Sequence, residues 1–467
     1  MKLLASHFKL KENRTTFSNE IICGITTFLT MLYAPLFTPA IVAETGMPYS
    51  GVFAATVLTA GVGTILIAVI SNLPIVIAPI MAFNTFMAQT ICLDMGFHWR
   101  EALAMSYMSG FLMICLLWPA NLRRRFYLTI PDSLKYATCI GAGLFISLVG
   151  FKRANFVSYT SPPGTFTTDS GGALFSDSSS VPTFLGSATP EHIVAIVGFI
   201  AIIALMALEV RTRQRYGAFF LGIIVAAFVG IPLNVTQISS LKFDSFISGL
   251  NEVSFSFYGR PGVLSLFDAP GKVALSIVLV IIITFISIAM LFCTIGGIGS
   301  RFEGTFTAQK MDKSIKAASS VTLLSAFLGT SPPTVSVVSV AGISSGGKTG
   351  LAALVTGALF ILCLPFAGVF SSFPHAAVAP ALIVSGVLTV PLIKRVNWSD
   401  FEEGFPGIIT IIAILFTYSI VYGIAIGYAA HLLIKTSLGK WREVRFLVHV
   451  IVIAFVALIA LRSVLKI

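Results

Sequence analysis

The chain has 467 residues, 56% of them hydrophobic and only 10% charged, with a formal net charge of +11 and a mean hydropathy of +0.94. A soluble domain carries about 25% charged residues, so this composition cannot build a water-facing shell and points to a polytopic membrane protein. The positive charge does not call for nucleic acid, because Lys and Arg between apolar segments are retained on the cytoplasmic side of a membrane.

Residues 1–19 are polar and basic with no apolar h-region, which reads as a cytoplasmic tail and not as a signal peptide. Runs of about 20 apolar residues then predict spans. They lie near 20–43, 51–71, 74–93, 101–119, 134–151, 192–210, 216–233, 273–296, 315–330, 332–345, 349–370, 376–393, 405–421 and 422–435. A further apolar stretch, Phe446–Leu465, is either an extra crossing or an interfacial helix. With the N-terminus inside, every basic cluster falls on the cytoplasmic side, as the positive-inside rule requires. These clusters are Arg123–Arg125, Arg211 with Arg213 and Arg215, Lys310 with Lys313 and Lys316, Lys348, Lys394–Arg395, and Lys440 with Arg442 and Arg445. The Ser-, Thr- and Gly-rich loop around Gly171 is then external.

Two stretches, from Thr45 to Leu93 and from Lys313 to Ser399, contain no Asp or Glu, and each holds a proline-broken apolar segment, at Pro74–Pro79 and Pro332–Pro333. Broken segments at matching places in two halves point to an inverted-topology repeat with a binding site near the midplane. Seven spans per half give the halves opposite orientation. All six cysteines lie in apolar runs and read as small buried hydrophobes, not as a disulfide framework.

The run Gly342 to Thr349 fits the phosphate-loop pattern G-x-x-x-x-G-K-T. A phosphate loop needs a soluble parallel sheet and an acidic residue to hold Mg²⁺, and no Asp or Glu follows Thr349 within the next fifty residues. It reads as a glycine-rich turn, and the overlapping G-x-S-x-G match as chance. Glu20 and Glu209, at the inner ends of spans one and six, read as interfacial caps, and His431 as a packing residue. No enzymatic activity and no cofactor or metal are expected.

Several runs resemble one family. They are Thr27–Met31 with Pro35; Leu73-Pro74 with Ala78-Pro79, Met81 and Asn84; Gly329–Ser331 with Ser339, Ala341-Gly342 and Gly346–Leu351; and Thr417–Ile420 with Gly423–Ala425 and Gly427. Over roughly residues 8–450 the chain is similar to the adenine/guanine/hypoxanthine permease branch of the nucleobase/cation symporters, the xanthine and uracil permeases. The resemblance implies an all-α, fourteen-span, seven-plus-seven inverted repeat with short strands in spans 3 and 10. It implies a cytoplasmic N-terminus (1–19), a core domain of spans 1–4 (20–119) and 8–11 (273–370), and a gate domain of spans 5–7 (120–233) and 12–14 (371–436). An external loop (234–272) and a C-terminal apolar segment (437–467) complete the layout.

The implied function is secondary-active transport of purine nucleobases in the cell inner membrane. Expected partners are the small-molecule substrate, the lipid bilayer and, in one assembly, a second copy of the chain. Two departures bear on coupling. Where the family pattern has Asp in span 8 this chain has Cys293, and where it has Glu in span 10 this chain has Val338. With those positions, Asn84, Thr294, Thr334 and Ser339 complete the expected substrate-binding set. Spans 3, 8 and 10 carry no carboxylate, so proton coupling is expected to be altered or absent. The alternatives are a carrier for another small, anionic solute on the same fold and a non-transporting paralogue.

Overall fold

The computed structural model describes residues 6–160, 181–184, 189–212, 218–236, 262–301, 306–344, 346–371 and 374–465, with residues 251, 254 and 256. The expectations for Gly171, Arg213, Arg215 and most of the 234–272 loop fall outside them. The chain is overwhelmingly helical. Among the described residues nine helices are long and apolar enough to cross a membrane.

α1 (Phe17–Met31) is capped by Thr16, whose side chain accepts from the Asn19 N–H at 3.3 Å. It breaks at Leu32 because Pro35 has no N–H for the Met31 carbonyl, and α2 (Tyr33–Ala43) resumes the crossing. α3 (Tyr49–Ser71) ends at Asn72, whose φ of 51° is left-handed, a conformation Asn tolerates through its short polar side chain. The third span is broken. It starts as β1 (Ile77–Pro79), continues as α4 (Met81–Thr85) and finishes as a π-helical stretch, Phe86–Asp94. α5 (Trp99–Leu117) covers the expected fourth span, and α6 (Ala120–Thr129) leads to α7 (Asp132–Arg153), over the expected fifth. A hairpin of β2 (Val157–Thr160) and β3 (Val181–Phe184) precedes α8 (Pro190–Thr212) and α9 (Ala218–Gly230).

The second half opens with α10 (Pro270–Arg301) and α11 (Ala308–Leu328). Its broken tenth span is β4 (Pro333–Val335), a tight turn over Val337–Ser339 and α12 (Val340–Ser344). The expected span eleven is covered by α13 (Gly350–Leu362) followed by α14 (Ala367–Ser371). α15 (His375–Val387), α16 (Phe401–Phe416) and α17 (Ile420–Ser437) follow, over the stretches expected as spans twelve to fourteen. The apolar C-terminal stretch is one helix of 20 residues, α18 (Phe446–Leu465). At 1.5 Å per residue it is about 30 Å long, the thickness of a bilayer core.

Two compact units emerge. The first holds Met1–Phe145, Lys242–Ser371 and Gly386–Ile467; the second holds Ile146–Leu241 and Ser372–Ser385. In the first, α3 packs on α13 and α11, α1 on α13, and α5 on α11 and α10, while α18 lies along α10 and α17. α3 and α13 meet backbone to backbone: a Cβ on Gly61 would come within 3.0 Å of the Gly357 carbonyl oxygen, and one on Gly357 within 2.7 Å of the Gly61 oxygen. Arg123 is buried and forms a two-pronged ion pair with Asp312, fastening the start of α6 to α11. In the second unit, Val194, Ala226, Ala227, Ala376 and Ala377 form a small-residue core, and Ser147 donates to the Ile383 carbonyl at 2.8 Å. Glu209 accepts from the Ala218 N–H at 3.0 Å, so it caps the start of α9.

The strands in the broken spans are not quite where β-branched residues suggest. Ile75–Ile77 and Val335–Val340 invite extended structure. The antiparallel pair is instead Ile77–Pro79 with Pro333–Val335, and residues from Val337 onward turn helical. The Ser336 side chain accepts from the Val338 N–H at 3.3 Å, and this cap overrides the local β preference of three valines.

Candidate functional site

The site is built around the β1–β4 crossing. Ile77 faces Val335, Ala78 faces Thr334 and Pro79 faces Pro333. Away from water every backbone group needs a partner, and side chains supply what two three-residue strands cannot. The Thr64 hydroxyl pairs with both the N–H and the carbonyl of Ile77, each at 3.2 Å. Ser339 accepts from the Val76 N–H at 3.0 Å, and the Ser336 N–H donates to the Val76 carbonyl at 2.9 Å. Ser339 therefore splices the tenth span to the third. Thr334 is 1% exposed and its hydroxyl has no partner.

Asn84 lies on α4, completely buried. Its Nδ2 donates to Thr38 Oγ1 at 3.0 Å, and its Oδ1 accepts from Ser331 Oγ at 2.5 Å. The amide thus ties spans one, three and ten together. An amide has two donors and room for two accepted bonds, so one donor and one acceptor position stay open.

Cys293 and Thr294 sit side by side on α10 and do opposite things. The Thr294 hydroxyl turns back onto its own helix, donating to the carbonyls of Met290 and Leu291 at 2.9 and 3.1 Å. It is occupied by backbone. The Cys293 thiol, fully buried, faces Thr138 of α7 and Tyr428 of α17. Cys139 Sγ donates to the Cys293 carbonyl at 3.1 Å. α10 also packs against β4 and the turn bearing Val338, which is 7% exposed. A shallow cleft lies beside these groups, lined among others by Cys139, Gly297, Val337, Val340 and Thr389, with about 10 Å³ of free volume, room for about one water.

Thr38, Ser331, Thr138, Cys139 and Tyr428 were not singled out for the site by sequence. Ser331 lies inside a run already noted, and Tyr428 directly follows Gly427 of another. Thr138 offered no signal beyond a polar residue in an apolar span.

The glycine-rich turn is a separate cluster. Glu20 of α1 accepts from the Lys348 N–H at 3.0 Å, from the Thr349 N–H at 3.2 Å and from the Thr349 hydroxyl at 2.9 Å. Thr15 donates to it as well, at 2.9 Å. The backbone donors that a phosphate would need at the start of α13 are taken by the chain's own carboxylate. Outside the spans, His98 caps α5: its Nδ1 accepts from the Arg100 N–H at 3.2 Å, while Glu101 accepts from the His98 N–H at 3.0 Å. Burial, then the neighbouring Arg100, lowers the His98 pKa. Among the described residues no group of three metal-ligating side chains occurs.

Comparison with known proteins places the chain in a family. The sequence matches Xan_ur_permease, described as "Permease family", over residues 18–426. It is 32% identical to guanine/hypoxanthine permease PbuO of Bacillus subtilis, covering 96% of this chain and 98% of that one. It is 31% identical to adenine permease AdeQ of Escherichia coli, covering 97% and 95%. Among solved structures, the transmembrane domain of the cyanobacterial bicarbonate transporter BicA aligns with a TM-score of 0.56 at 14% identity, over 88% of this chain and 96% of that one. SLC26A9 aligns with a TM-score of 0.58 at 12% identity, over 92% of this chain and 66% of that one. These likenesses share the fold of membrane transporters, and the relatives are permeases rather than enzymes. The chain is a multi-pass membrane protein that belongs to the Xan_ur_permease family.

Proposed function

We propose that this chain carries purine nucleobases across the cell inner membrane, with proton coupling weak or absent. The observation that carries the reading is the end-to-end likeness, at about 30% identity, to permeases named for guanine, hypoxanthine and adenine. The open donor and acceptor positions of Asn84 and the unpartnered Thr334 hydroxyl support the reading, because a planar base carries donors and acceptors on its edge. Uptake of radiolabelled hypoxanthine, guanine and adenine in a strain stripped of its own purine permeases tests this. Absence of uptake above the empty-vector control for all three overturns it.

The fold in this reading is a fourteen-span inverted repeat followed by α18. Helix packing supports it. Moving each span on by seven turns the pair 2–11 into 9–4 and the pair 1–11 into 8–4, while 2–9 and 3–10 map onto themselves; all of these pairs are in contact. Spans 1–4 and 8–11 form the core and spans 5–7 and 12–14 the gate.

Coupling follows from the chemistry of two positions. A proton symporter needs a buried carboxylate that loads and releases a proton, and Cys293 and Val338 stand where the family pattern has acids. Initial uptake with and without a protonophore should differ by less than about twofold at fixed membrane potential, on the view that spans 3, 8 and 10 offer no titratable acid. The double variant Cys293→Asp with Val338→Glu should become protonophore-sensitive. A collapse of concentrative uptake in the wild type, beyond the effect of membrane potential, rejects weak coupling. A second reading, a carrier of a small anion, draws on the same lack of acids and on the Lys135 charge acting at Cys293. Anion exchange in proteoliposomes without purine uptake favours it, and tight purine binding without flux favours a non-transporting paralogue.

A further inference from the structure

We propose that Tyr422 is a positioning residue for the substrate site: its ring fixes the third-span segment that carries Asn84, and the C-terminal helix α18 holds that ring in place. The inference rests on the purine reading above, with Asn84 in the site. It adds to that reading a helix that lies beyond residue 426, where the family match stops.

The need for a clamp arises in the third span itself. Asn84 sits on α4, which is only five residues long, and the chain continues directly as π-helix from Phe86 to Asp94. A helix of one turn is marginal by itself, and the π form is rare and mostly confined to single turns. The Asn84 segment therefore keeps its place through its neighbours more than through its own helix. Bonds to Thr38 and Ser331 hold the amide. Two residues on, Phe86 is 2% exposed, and its ring meets that of Tyr422 edge to face with centroids 6.2 Å apart, inside the range where aromatic pairs attract. α17, which carries Tyr422, also packs on α4.

Tyr422 is fixed in turn. It lies in the first turn of α17, where its N–H donates to the capping Ser419 hydroxyl at 3.4 Å. On the other side of its ring stands Phe455 of α18, with centroids 5.5 Å apart. Phe455 shares a crevice with Phe285 of α10 and Ala425 of α17. Its own helix is well seated: Leu447, Ile451, Ala454 and Leu458 are buried at spacings of four, three and four residues, the seam of a helix packed along its length, and α18 lies against α10 and α17. Three rings thus lead from α18 to the segment bearing Asn84. Arg462 adds a second hold on Tyr422, its Nη1 donating to the phenol oxygen at 3.5 Å. That bond is long for a hydrogen bond, so the ring stack, more than the hydroxyl, does the positioning.

The test is initial uptake of hypoxanthine, guanine and adenine by the full-length protein carrying Tyr422→Ala, Tyr422→Phe, Phe455→Ala or both alanines, with deuterium exchange over residues 81–94 of each purified protein. Ile453→Ala, on the exposed face of α18, is the control. Tyr422→Ala should raise KM about fivefold and Phe455→Ala about threefold, with Vmax held within about twofold. Tyr422→Phe keeps the ring and should stay within about twofold of the wild type. Because Phe455 acts through Tyr422, the double variant should match Tyr422→Ala instead of showing the product of the two effects. Exchange over 81–94 should rise in both alanine variants and not in the control. If Tyr422→Ala does not fold, Tyr422→Leu, which keeps bulk and removes the ring, takes its place. A lowered melting temperature with unaltered KM overturns the proposal, because it marks the stack as structural, and so do fully multiplicative effects in the double variant. Uptake of none of the three bases by the wild type removes the purine reading, and exchange then decides this inference alone: a rise confined to 81–94 sustains it, and unaltered exchange overturns it.

Discussion

Two polar clusters in this chain are held by bonds of different strength. At the start of α13, the Glu20 carboxylate collects donors from Lys348, Thr349 and Thr15. At Cys293, Thr138 and Tyr428 are equally buried and lie against a single thiol. The first is a closed set around a carboxylate that fixes where α1 meets the turn. The second rests on a weak sulfur partner. Hydrogen bonds to an ionised group are roughly twice as strong as neutral ones, so the first cluster holds the fold more firmly than the second.

Breaking the closed cluster should have the largest effect. Glu20→Ala strands three donors around Lys348 and Thr349 and should cost about 3 kcal/mol or more, read as a sharp fall in the melting temperature of the purified protein. An unchanged melting curve would show that the turn does not depend on its carboxylate. Asn84→Ala comes next. It removes the bonds to Thr38 and Ser331 that join three spans, and should lose about 1–3 kcal/mol together with most purine uptake. Full stability with lost uptake would mean that the amide serves the substrate alone.

A smaller effect is expected at the cap of α5. His98 must be neutral at Nδ1 to accept from Arg100, and burial together with Arg100 lowers its pKa below the ordinary 6.5. The unfolded chain therefore binds the proton more readily than the folded one. The contribution is complete above about pH 6.5 and is lost as the pH falls from there through the lowered folded value. A loss of about 1 kcal/mol, the worth of a cap, should appear as a melting temperature that drops on acidification in the wild type and less so in His98→Asn. Equal pH profiles would remove His98 from the account. The smallest effect belongs to Thr294→Val. Its hydroxyl is satisfied by Met290 and Leu291, so the KM for purines should stay within about twofold, since no bond to substrate is removed. A large rise would mean that the hydroxyl swings round during transport.

Much of this was legible in the chain, for identifiable reasons. Proline has no N–H to give, so Pro74–Pro79 and Pro332–Pro333 announced the broken spans. The acid-free stretches announced the missing carboxylates, and Glu20 and Glu209 were read as caps, as they are. Hydropathy fixes how long a helix is but not which way each side chain turns about its axis. Cys293 and Thr294 are neighbours in sequence, and only packing decides that one faces α7 and α17 while the other is absorbed by its own backbone. The strands slipped by two residues in the third span because Thr64 and Ser339 supply the hydrogen bonds that locate Ile77 and Val76. Such partners are distant in sequence. Asn84 belongs to the expected substrate-binding set, and nothing in its sequence vicinity names Thr38 or Ser331 as its partners.

The crossing of Gly61 and Gly357 carries a mechanical consequence. Packed helices slide past one another when side chains between them can exchange one set of grooves for the next. Here an added methyl at either glycine would press on the opposing carbonyl at 3.0 or 2.7 Å, and the Ile361 and Ile65 side chains close in on the same two positions at 2.6 and 2.7 Å. Such a joint leaves no free groove for either helix to move into. Spans two and eleven are therefore locked in register, and whatever travels during a transport cycle must carry both of them together as one rigid piece.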